Sequence, residues 1–164
     1  MSEIILRDAL PEDAAALLAI YKPYVEQTAI SFECEAPSAE EFENRIRTIS
    51  AKYPYLAAEA DGRIVGYAYA HEFGERAAYN LTAELSVYVE RGERRGGIGR
   101  MLYEELERRL KEEGYHSMVA VITAPQTEED PYSSLDSQKF HGRMGFVKAG
   151  HLHQCGFKFG RWYD

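Results

Sequence analysis

The sequence lacks the features that mark several large classes of protein. Only two cysteines, Cys34 and Cys155, occur among 164 residues, too few for a dense disulfide framework or for a four-cysteine zinc site. No apolar run approaches the roughly 18 residues that a membrane-spanning helix needs. The first residues include acids and no long apolar region, so they do not form a secretory signal. We therefore expect a protein of the reducing cytoplasm, without a membrane partner.

Basic residues are also scarce. Lysine and arginine number 19 against 27 acidic residues, which gives a formal net charge of −8. Because nucleic-acid binding depends on basic surface, this balance argues against a nucleic-acid partner. The apolar fraction of 45% is that of an ordinary globular chain. Its length suits a single domain over residues 1–164 with a substantial core.

Hydrophobic periodicity and turn signals predict a mixed α/β chain in the order β-α-α-β-β-β-α-β-α-β. Ser38 and Glu41 have the spacing of a helix capping box, and Asp61-Gly62 is a two-residue hairpin signal between two strands. The continuous apolar run from Met118 to Ile122 is typical of a strand covered on both faces. A last strand-rich stretch runs from Phe146 to Phe159. The first half should therefore be antiparallel, and a strand–helix–strand crossover should follow.

The segment from Glu90 to Arg100 concentrates the chemistry of the chain. Four arginines and several glycines stand between a predicted strand and a helix that begins near Ile98. Glycine lets backbone N–H groups approach a ligand closely, and a helix N-terminus supplies unpaired donors with a partial positive charge. The residues therefore indicate a phosphate or diphosphate site. A flexible loop with solvated arginines is the alternative that they leave open.

The run Arg94-Arg95-Gly96-Gly97-Ile98-Gly99 resembles the [Gln/Arg]-x-x-Gly-x-[Gly/Ala] signature of the GNAT superfamily of N-acetyltransferases. A strand at Leu85–Val89 precedes it and an amphipathic helix follows, as in that family. The similarity extends to the phosphinothricin and methionine sulfoximine N-acetyltransferase subfamily through Tyr79–Glu84, Ser86–Val89 and Gly156–Trp162. The resemblance implies the GNAT acyl-CoA N-acyltransferase fold, in which helices flank a mixed central sheet and two strands splay around the cofactor.

The resemblance also implies acetyl-CoA as the acetyl donor and no metal. In the family, a bulge splays the strand that ends at Val89, and the pantetheine arm lies beside it. The contacts to this arm would come from Val87, Tyr88 and Val89. The diphosphate would be held by the residues that follow Arg94, namely Arg95, Gly96, Gly97, Ile98, Gly99 and Arg100. Ser134 stands where the family usually has an asparagine that touches the pantetheine. A backbone N–H freed near Val87 could stabilise the tetrahedral oxyanion.

Two residues are candidates for proton transfer. An amine must be neutral to attack a thioester, and an alkylammonium has a pKa near 10, so a base is useful. Glu84 is the first candidate. A carboxylate in a half-buried strand costs free energy unless it has a catalytic role or a bonding partner. The resemblance implies that this glutamate is the base. A salt-bridged strand glutamate is the alternative. His141, four residues before Gly145-Phe146, stands where the family often protonates the leaving thiolate. The alternative is a helix histidine bonded to the backbone.

The resemblance places the acceptor pocket at Phe32, Arg76, Tyr79, Glu84 and Ser86. A guanidinium at Arg76 suits a bidentate contact with an acidic group of the acceptor. The alternative is an exposed loop arginine with no binding role. Phe32 and Tyr79 could wall the pocket, or they could be ordinary core aromatics.

Some histidine and cysteine residues suggest no chemistry of their own. His151-Leu152-His153 lacks a further ligand set, so we interpret both histidines as surface residues. Cys34 and Cys155 have no neighbouring nucleophile arrangement and are interpreted as packing residues.

The predicted function is direct transfer of the acetyl group to the α-amino group of a small amino-acid-like acceptor. Acetylation of a protein or peptide N-terminus and a non-catalytic CoA-binding module are the alternatives. A homodimer is implied by the resemblance alone. The resemblance also implies one more strand after Asp164, which is either absent here or supplied by a partner chain. The loop Thr123–Ser133 is longer than the subfamily norm and could reshape the mouth of the cofactor gap.

Overall fold

The computed structural model describes residues 3–93 and 96–164. Arg94 and Arg95 of the signature lie outside the described residues. The elements in chain order are β1 (Ile4–Asp8), α1 (Ala14–Gln27), α2 (Ala39–Ser50), β2 (Tyr55–Ala60), β3 (Arg63–Glu72), β4 (Thr82–Val89), α3 (Ile98–Glu112), β5 (Ser117–Val119), α4 (Asp136–Arg143), β6 (Gly156–Lys158) and β7 (Arg161–Tyr163). In the part of the chain described, no helix has both the length and the hydropathy to cross a membrane.

The chain forms two compact units. The first contains the described residues of 1–20 and 37–121, and the second contains residues 21–36 and 122–164. A five-stranded sheet in the order β1-β2-β3-β4-β5 lies in the first unit. Its first four strands are antiparallel neighbours, whereas β4 and β5 are parallel and joined through α3. The predicted antiparallel half and crossover are therefore confirmed.

Local sequence signals explain the boundaries of several elements. Asp61 and Gly62 both have positive φ, 52° and 75°, as the predicted hairpin turn requires. The Ser38 hydroxyl accepts a hydrogen bond from the Glu41 N–H at 3.1 Å, which is half of the predicted capping box. The Glu41 carboxylate instead binds Arg45 at 2.5 Å. The stripe that α3 buries is Ile98, Leu102, Tyr103, Leu106 and Leu110.

The fifth strand differs from its prediction. The apolar run Met118–Ile122 predicts a strand covered on both faces, but β5 ends at Val119 and Val121 is 74% exposed. Within the described sheet β5 is the edge strand. The prediction of a strand covered on both faces was therefore wrong. An apolar run does not by itself distinguish an edge strand from a central one.

The second unit contains α4 and a small hairpin of β6 and β7. The strand-rich stretch predicted over Phe146–Phe159 was too long, because the first strand there begins at Gly156. Phe159 and Gly160 have φ of 51° and 71°, so a tight turn reverses the chain. The fully buried side chains of this unit include Val25, Ala29 and Tyr163.

The loop Thr123–Ser133 is anchored by one buried acid. The Asp130 side chain is 4% exposed. Its carboxylate accepts hydrogen bonds from the N–H groups of Tyr132 and Ser133 at 2.8 and 3.1 Å. The Tyr163 hydroxyl donates to it at 3.2 Å. These bonds fix the end of the loop against β7.

Candidate active site

Strand β4 has a long neighbour on one side and a short one on the other. It pairs with β3 in a single register from Ala83 to Val89, but its parallel pairing with β5 ends at Glu84. Five residues of β4 therefore extend beyond the last pair with β5, among them the predicted pantetheine contacts Val87, Tyr88 and Val89. The expected bulge is absent from the described β3–β4 ladder. Beyond Glu84, β4 has no partner in β5 because β5 is short.

The turn into α3 requires glycine for its backbone conformation. Gly96 and Gly97 have φ of 92° and 67°, and Gly97 is the N-cap of α3. A Cβ at either position would meet no heavy atom of the described residues within 4 Å, so crowding among these residues is not the reason for glycine. The first-turn amides of Ile98, Gly99 and Arg100 have no acceptor within their own helix. Unpaired backbone donors of this kind suit an anion.

A third glycine sets the position of this helix terminus. A Cβ at Gly66 of β3 would lie 3.1 Å from Ile98 Cγ2 and 3.2 Å from the Tyr88 carbonyl oxygen. The missing side chain therefore lets the first turn of α3 pack closely against β3 and β4. Gly66 was not among the predicted site residues, although an isolated glycine within a strand pattern signals a close approach of backbone.

Arg100 already has a partner on its own helix. Its Nε donates to Glu104 Oε1 at 2.7 Å, and this hydrogen bond raises the pKa of the exposed Arg100. The guanidinium stays charged, so its predicted contact with a diphosphate remains a prediction.

Glu84 is half-buried and lies opposite a histidine. Its side chain is 24% exposed, and its Oε1 lies 3.6 Å from Nε2 of His71 on β3. Burial raises the pKa of Tyr103 of α3, and the charge of Glu84 adds to that effect. The carboxylate therefore lies in a polar corner between β3 and α3. This corner agrees with both the catalytic interpretation and the ion-pair alternative.

A row of rings leads along β3 to this corner. The ring centroids of Tyr67 and Tyr69 are 6.4 Å apart, and those of Tyr69 and His71 are 5.7 Å apart. Their partners on β4 are Tyr88, Ser86 and Glu84. Tyr67 is buried while His71 and Glu84 are partly exposed, so the row runs outward from the core. Sequence reasoning missed His71, although the alternation of aromatic residues in β3 was a signal.

Two predicted acceptor contacts lie on the loop between β3 and β4. Arg76 is exposed, and its carbonyl oxygen accepts from the Tyr79 N–H at 2.9 Å. The Tyr79 ring lies edge-on to Phe73 at 5.3 Å. A Cβ at Gly74 would lie 2.9 Å from that ring, so the backbone there holds Tyr79 closely. Tyr79 is 43% exposed and is not a core aromatic.

His141, in the second unit, is bonded to its own helix. It is 6% exposed, and its Nδ1–H donates to the Ser137 carbonyl at 2.7 Å. Burial lowers the pKa of His141, while that hydrogen bond opposes the shift. A neutral imidazole that donates through Nδ1 offers Nε2 as an acceptor. This geometry corresponds to the helix-histidine alternative and does not favour an acid.

Two neighbouring serines have different environments. The exposed Ser134 accepts from the Asp136 N–H at 3.3 Å, which orders the turn before α4. Ser133 is buried, and among the described residues its Oγ has no hydrogen-bond partner. A buried hydroxyl without a partner is uncommon and calls for a ligand or water. The family resemblance pointed to Ser134, and nothing in the sequence singled out Ser133.

Phe32 lies over the hairpin of the second unit. A Cβ at Gly156 would lie 2.3 Å from Phe32 Cε2, so this position admits only glycine while the ring stays there. Lys158 Nζ donates to the carbonyl oxygens of Val25 and Ser31, each at 2.7 Å, and so ties the loop before Phe32 to β6. The ring is 44% exposed and is not a core aromatic.

Two interpretations from the sequence were wrong. Cys34 and Cys155 are both exposed and are not packing residues, because the segments that carry them run over the surface. His151 and His153 are exposed, as expected, but the expectation that no further ligand group lies nearby was wrong. The Asp164 carboxylate oxygen Oδ2 lies 2.6 Å from His151 Nε2 and 3.2 Å from His153 Nδ1. The chain brings Asp164 back through the β6–β7 hairpin, which residue spacing alone did not reveal.

Comparisons with known proteins agree with this architecture. A phosphinothricin N-acetyltransferase of Streptomyces viridochromogenes is 34% identical over 97% of this chain and 82% of its own length. An L-methionine sulfoximine/L-methionine sulfone acetyltransferase of Pseudomonas aeruginosa is 35% identical over 97% of this chain and 89% of its own.

A solved structure of an acetyltransferase has a similar fold. The GNAT superfamily phosphinothricin acetyltransferase (Pat) of Sinorhizobium meliloti, in complex with AcCoA, is 35% identical, with a TM-score of 0.86 over 99% of this chain and 84% of that one. The family model described as acetyltransferase (GNAT) domain matches residues 6–164. With that match over nearly the whole chain and relatives above 30% identity, the chain belongs to the GNAT family of acetyltransferases.

Proposed function

We propose that this protein transfers the acetyl group of acetyl-CoA to the α-amino group of a small amino-acid-like acceptor, of the phosphinothricin or methionine sulfoximine type. One observation carries the proposal: β4 extends five residues beyond its last pair with β5, beside the glycine turn that opens α3. The extended segment offers backbone groups to a pantetheine arm. The amides of α3 offer donors to a diphosphate. The names of the curated relatives support the acceptor class.

Glu84 acts as the base in this proposal. It takes the proton from the acceptor ammonium, directly or through water, so that a neutral amine attacks the thioester carbon. His71, 3.6 Å from the carboxylate, holds it in place across the β3–β4 pair.

The proposal assigns the remaining steps to the backbone and to the thiolate itself. The N–H of Val87 donates to the oxygen of the tetrahedral intermediate, as an oxyanion donor. A thiol has a pKa of about 8.5, so CoA can leave as a thiolate with little help from an acid. His141, neutral because burial lowers its pKa, therefore serves as an acceptor or orienting group.

The acceptor would bind at the loop end of β3 and β4. Arg76 supplies a guanidinium for its acidic group, and Tyr79 and Ser86 lie on the same unit as Glu84. Phe32 lies on the second unit, and its role in the acceptor pocket stays a prediction from the sequence. The diphosphate would be held by Arg95, Gly96, Gly97, Ile98, Gly99 and Arg100. The contact of Ser134, on the second unit, with the pantetheine stays a prediction from the sequence.

The proposal is tested by measuring CoA thiol release from acetyl-CoA with methionine sulfoximine, with phosphinothricin and with a panel of peptides. We expect saturable release with the small acceptors. Preference for peptide N-termini would instead support the protein-acetylating alternative. Binding of acetyl-CoA with no release for any amine would indicate a non-catalytic module.

Binding is tested separately by titration with acetyl-CoA. Arg95→Ala should weaken it by about 1–3 kcal/mol, the effect of losing one charged hydrogen-bond partner. Arg47→Ala, on exposed α2, is the matched control and should leave the affinity unchanged. Equal affinity in both variants would contradict the diphosphate site.

We further infer a single catalytic domain over residues 1–164, working as a homodimer in the cytoplasm. The family match over residues 6–164 supports the domain. The exposed apolar side chains Phe157 and Trp162 of the small hairpin support a dimer, because such groups cluster at interfaces. Two free, exposed thiols fit a reducing compartment. Analytical ultracentrifugation tests the dimer, which Trp162→Glu should weaken.

A further inference from the structure

A cluster of metal-ligating side chains lies on the second unit and includes none of the residues assigned to the acetyl-transfer site. His151, His153 and Asp164 each offer one ligand atom, and these atoms all lie within 4.8 Å of one another. The two imidazole rings stand side by side, with centroids 4.6 Å apart. Among residues 3–93 and 96–164, no other group of three such side chains comes together.

The two oxygens of the Asp164 carboxylate have different partners. Oδ1 accepts from the Gln154 N–H at 2.7 Å and from the Gln126 side-chain amide. Oδ2 faces both imidazoles, at 2.6 Å from His151 Nε2 and 3.2 Å from His153 Nδ1. One oxygen is therefore fixed by neutral donors and the other is presented to two nitrogens. Outer hydrogen bonds of this kind orient the ligands of metal sites.

The backbone around the carboxylate is also fixed. Asp164 and Ala124 exchange two backbone hydrogen bonds, at 2.8 and 3.0 Å. The carboxylate is therefore held from the loop at Ala124 and from the turn at Gln154, while the two histidines reach it from the surface. A ligand at this point would join three stretches of the chain.

We propose that His151, His153 and Asp164 bind a divalent transition-metal cation, with Zn²⁺ as the best fit. Two imidazole nitrogens and one carboxylate oxygen are a ligand set that zinc accepts, with a water in the fourth position. Bonds of about 2.0–2.1 Å in a tetrahedron place ligand atoms roughly 3.3 Å apart. The 3.2 Å between Oδ2 and His153 Nδ1 matches this spacing, and the 2.6 Å between Oδ2 and His151 Nε2 would lengthen when a cation enters between them. Magnesium and calcium prefer oxygen ligands. The cation takes the place of the protons between the imidazoles and Oδ2. It links the segment of His151 and His153 to Asp164 and so stabilises this unit.

The test uses the full chain, stripped of metal with a chelator and then titrated with Zn²⁺ by calorimetry. We expect one Zn²⁺ per chain at these residues and a rise in the melting temperature. His153→Ala should weaken binding by at least about tenfold, the loss seen when even an outer partner of a ligand is removed. His153 is 81% exposed, so this variant should fold. His116→Ala, an exposed histidine of the first unit, is the matched control and should bind Zn²⁺ normally.

The exposed thiols must be separated from the proposed site. The double variant Cys34→Ser, Cys155→Ser should retain Zn²⁺ binding, and Co²⁺ bound to the unmodified chain in place of Zn²⁺ should show no thiolate charge-transfer band. Loss of binding in the double variant would assign the metal to cysteine and overturn the proposal. Equal affinity in His153→Ala and in the unmodified chain, or no saturable binding at all, would overturn it as well.

Discussion

Glu84 carries the proton chemistry proposed for this enzyme. Glu84→Gln keeps the shape of the side chain and its place opposite His71, but it removes the base. We expect the rate constant kcat to fall about 10²–10⁴-fold, the usual contribution of a positioned base, with acetyl-CoA affinity unchanged. The loss should shrink as the pH rises, because the free amine then forms without help. Steady-state kinetics between pH 7 and 10 measure both effects.

The control for this substitution is Glu72→Gln, which changes an exposed carboxylate at the end of the neighbouring strand β3. It should leave kcat within about twofold, as surface substitutions away from the chemistry usually do. A Glu84→Gln variant that works as fast as Glu72→Gln would show that Glu84 is only an ion-pair partner of His71.

His141 makes the stability depend on pH. Its pKa is lowered by burial, so the unfolded chain binds a proton more readily than the folded one. The stability it contributes is present above the unfolded pKa of about 6.5 and is lost as the pH falls below that value. We expect the free energy of unfolding to drop between pH 7 and 5.5, and less so in His141→Gln. Urea denaturation at both pH values, with His116→Gln as control, measures the difference.

At the scale of an element, the start of α3 depends on left-handed backbone. Gly97→Ala forces a Cβ into φ 67°, which costs about 1–2 kcal/mol, and it disturbs the amides that should face the diphosphate. We expect lower stability and weaker acetyl-CoA binding together, by denaturation and calorimetry. Gly142→Ala, in α4 with open space around it, should leave binding unchanged. If Gly97→Ala also bound normally, the helix terminus would not be the site.

The loop before α4 depends on Asp130. Asp130→Ala removes a buried acceptor from two backbone N–H groups and from the Tyr163 hydroxyl. Donors left unsatisfied in this way cost about 1–3 kcal/mol. We expect that loss in the free energy of unfolding, measured by urea denaturation. Glu129→Ala, exposed on the same loop, should change stability little, and an equal loss there would contradict the anchoring role.

At the scale of the whole molecule, buried and paired carboxylates make the fold sensitive to acid. Hydrogen bonds from Arg108 and then Arg109 lower the pKa of Glu105 to about 2, and the hydrogen bond from Arg7 lowers the pKa of Asp13. The stability that these acids contribute is present above their ordinary pKa values and is lost as the pH falls toward 2. Glu105→Gln should flatten the fall in stability between pH 4.5 and 2.5, followed by denaturation, whereas Glu107→Gln should leave it steep.

The sequence by itself determined what depends on neighbours along the chain. Asp61-Gly62 specified its turn, because only certain residues tolerate positive φ. The apolar stripe beginning at Ile98 specified α3, because apolar residues recur there at the spacing of helical turns. The GNAT signature and the residues around Glu84 likewise identified the family, because they form short continuous motifs.

Only the tertiary structure decided features that join distant residues. The end of β5 depends on its edge position in the sheet, which the apolar run did not show. The partner of His151 is Asp164, 13 residues away, and the anchor of Asp130 is Tyr163, 33 residues away. Such pairs form because the chain folds back on itself. Periodicity and spacing report local geometry, so they do not show which distant side chains meet.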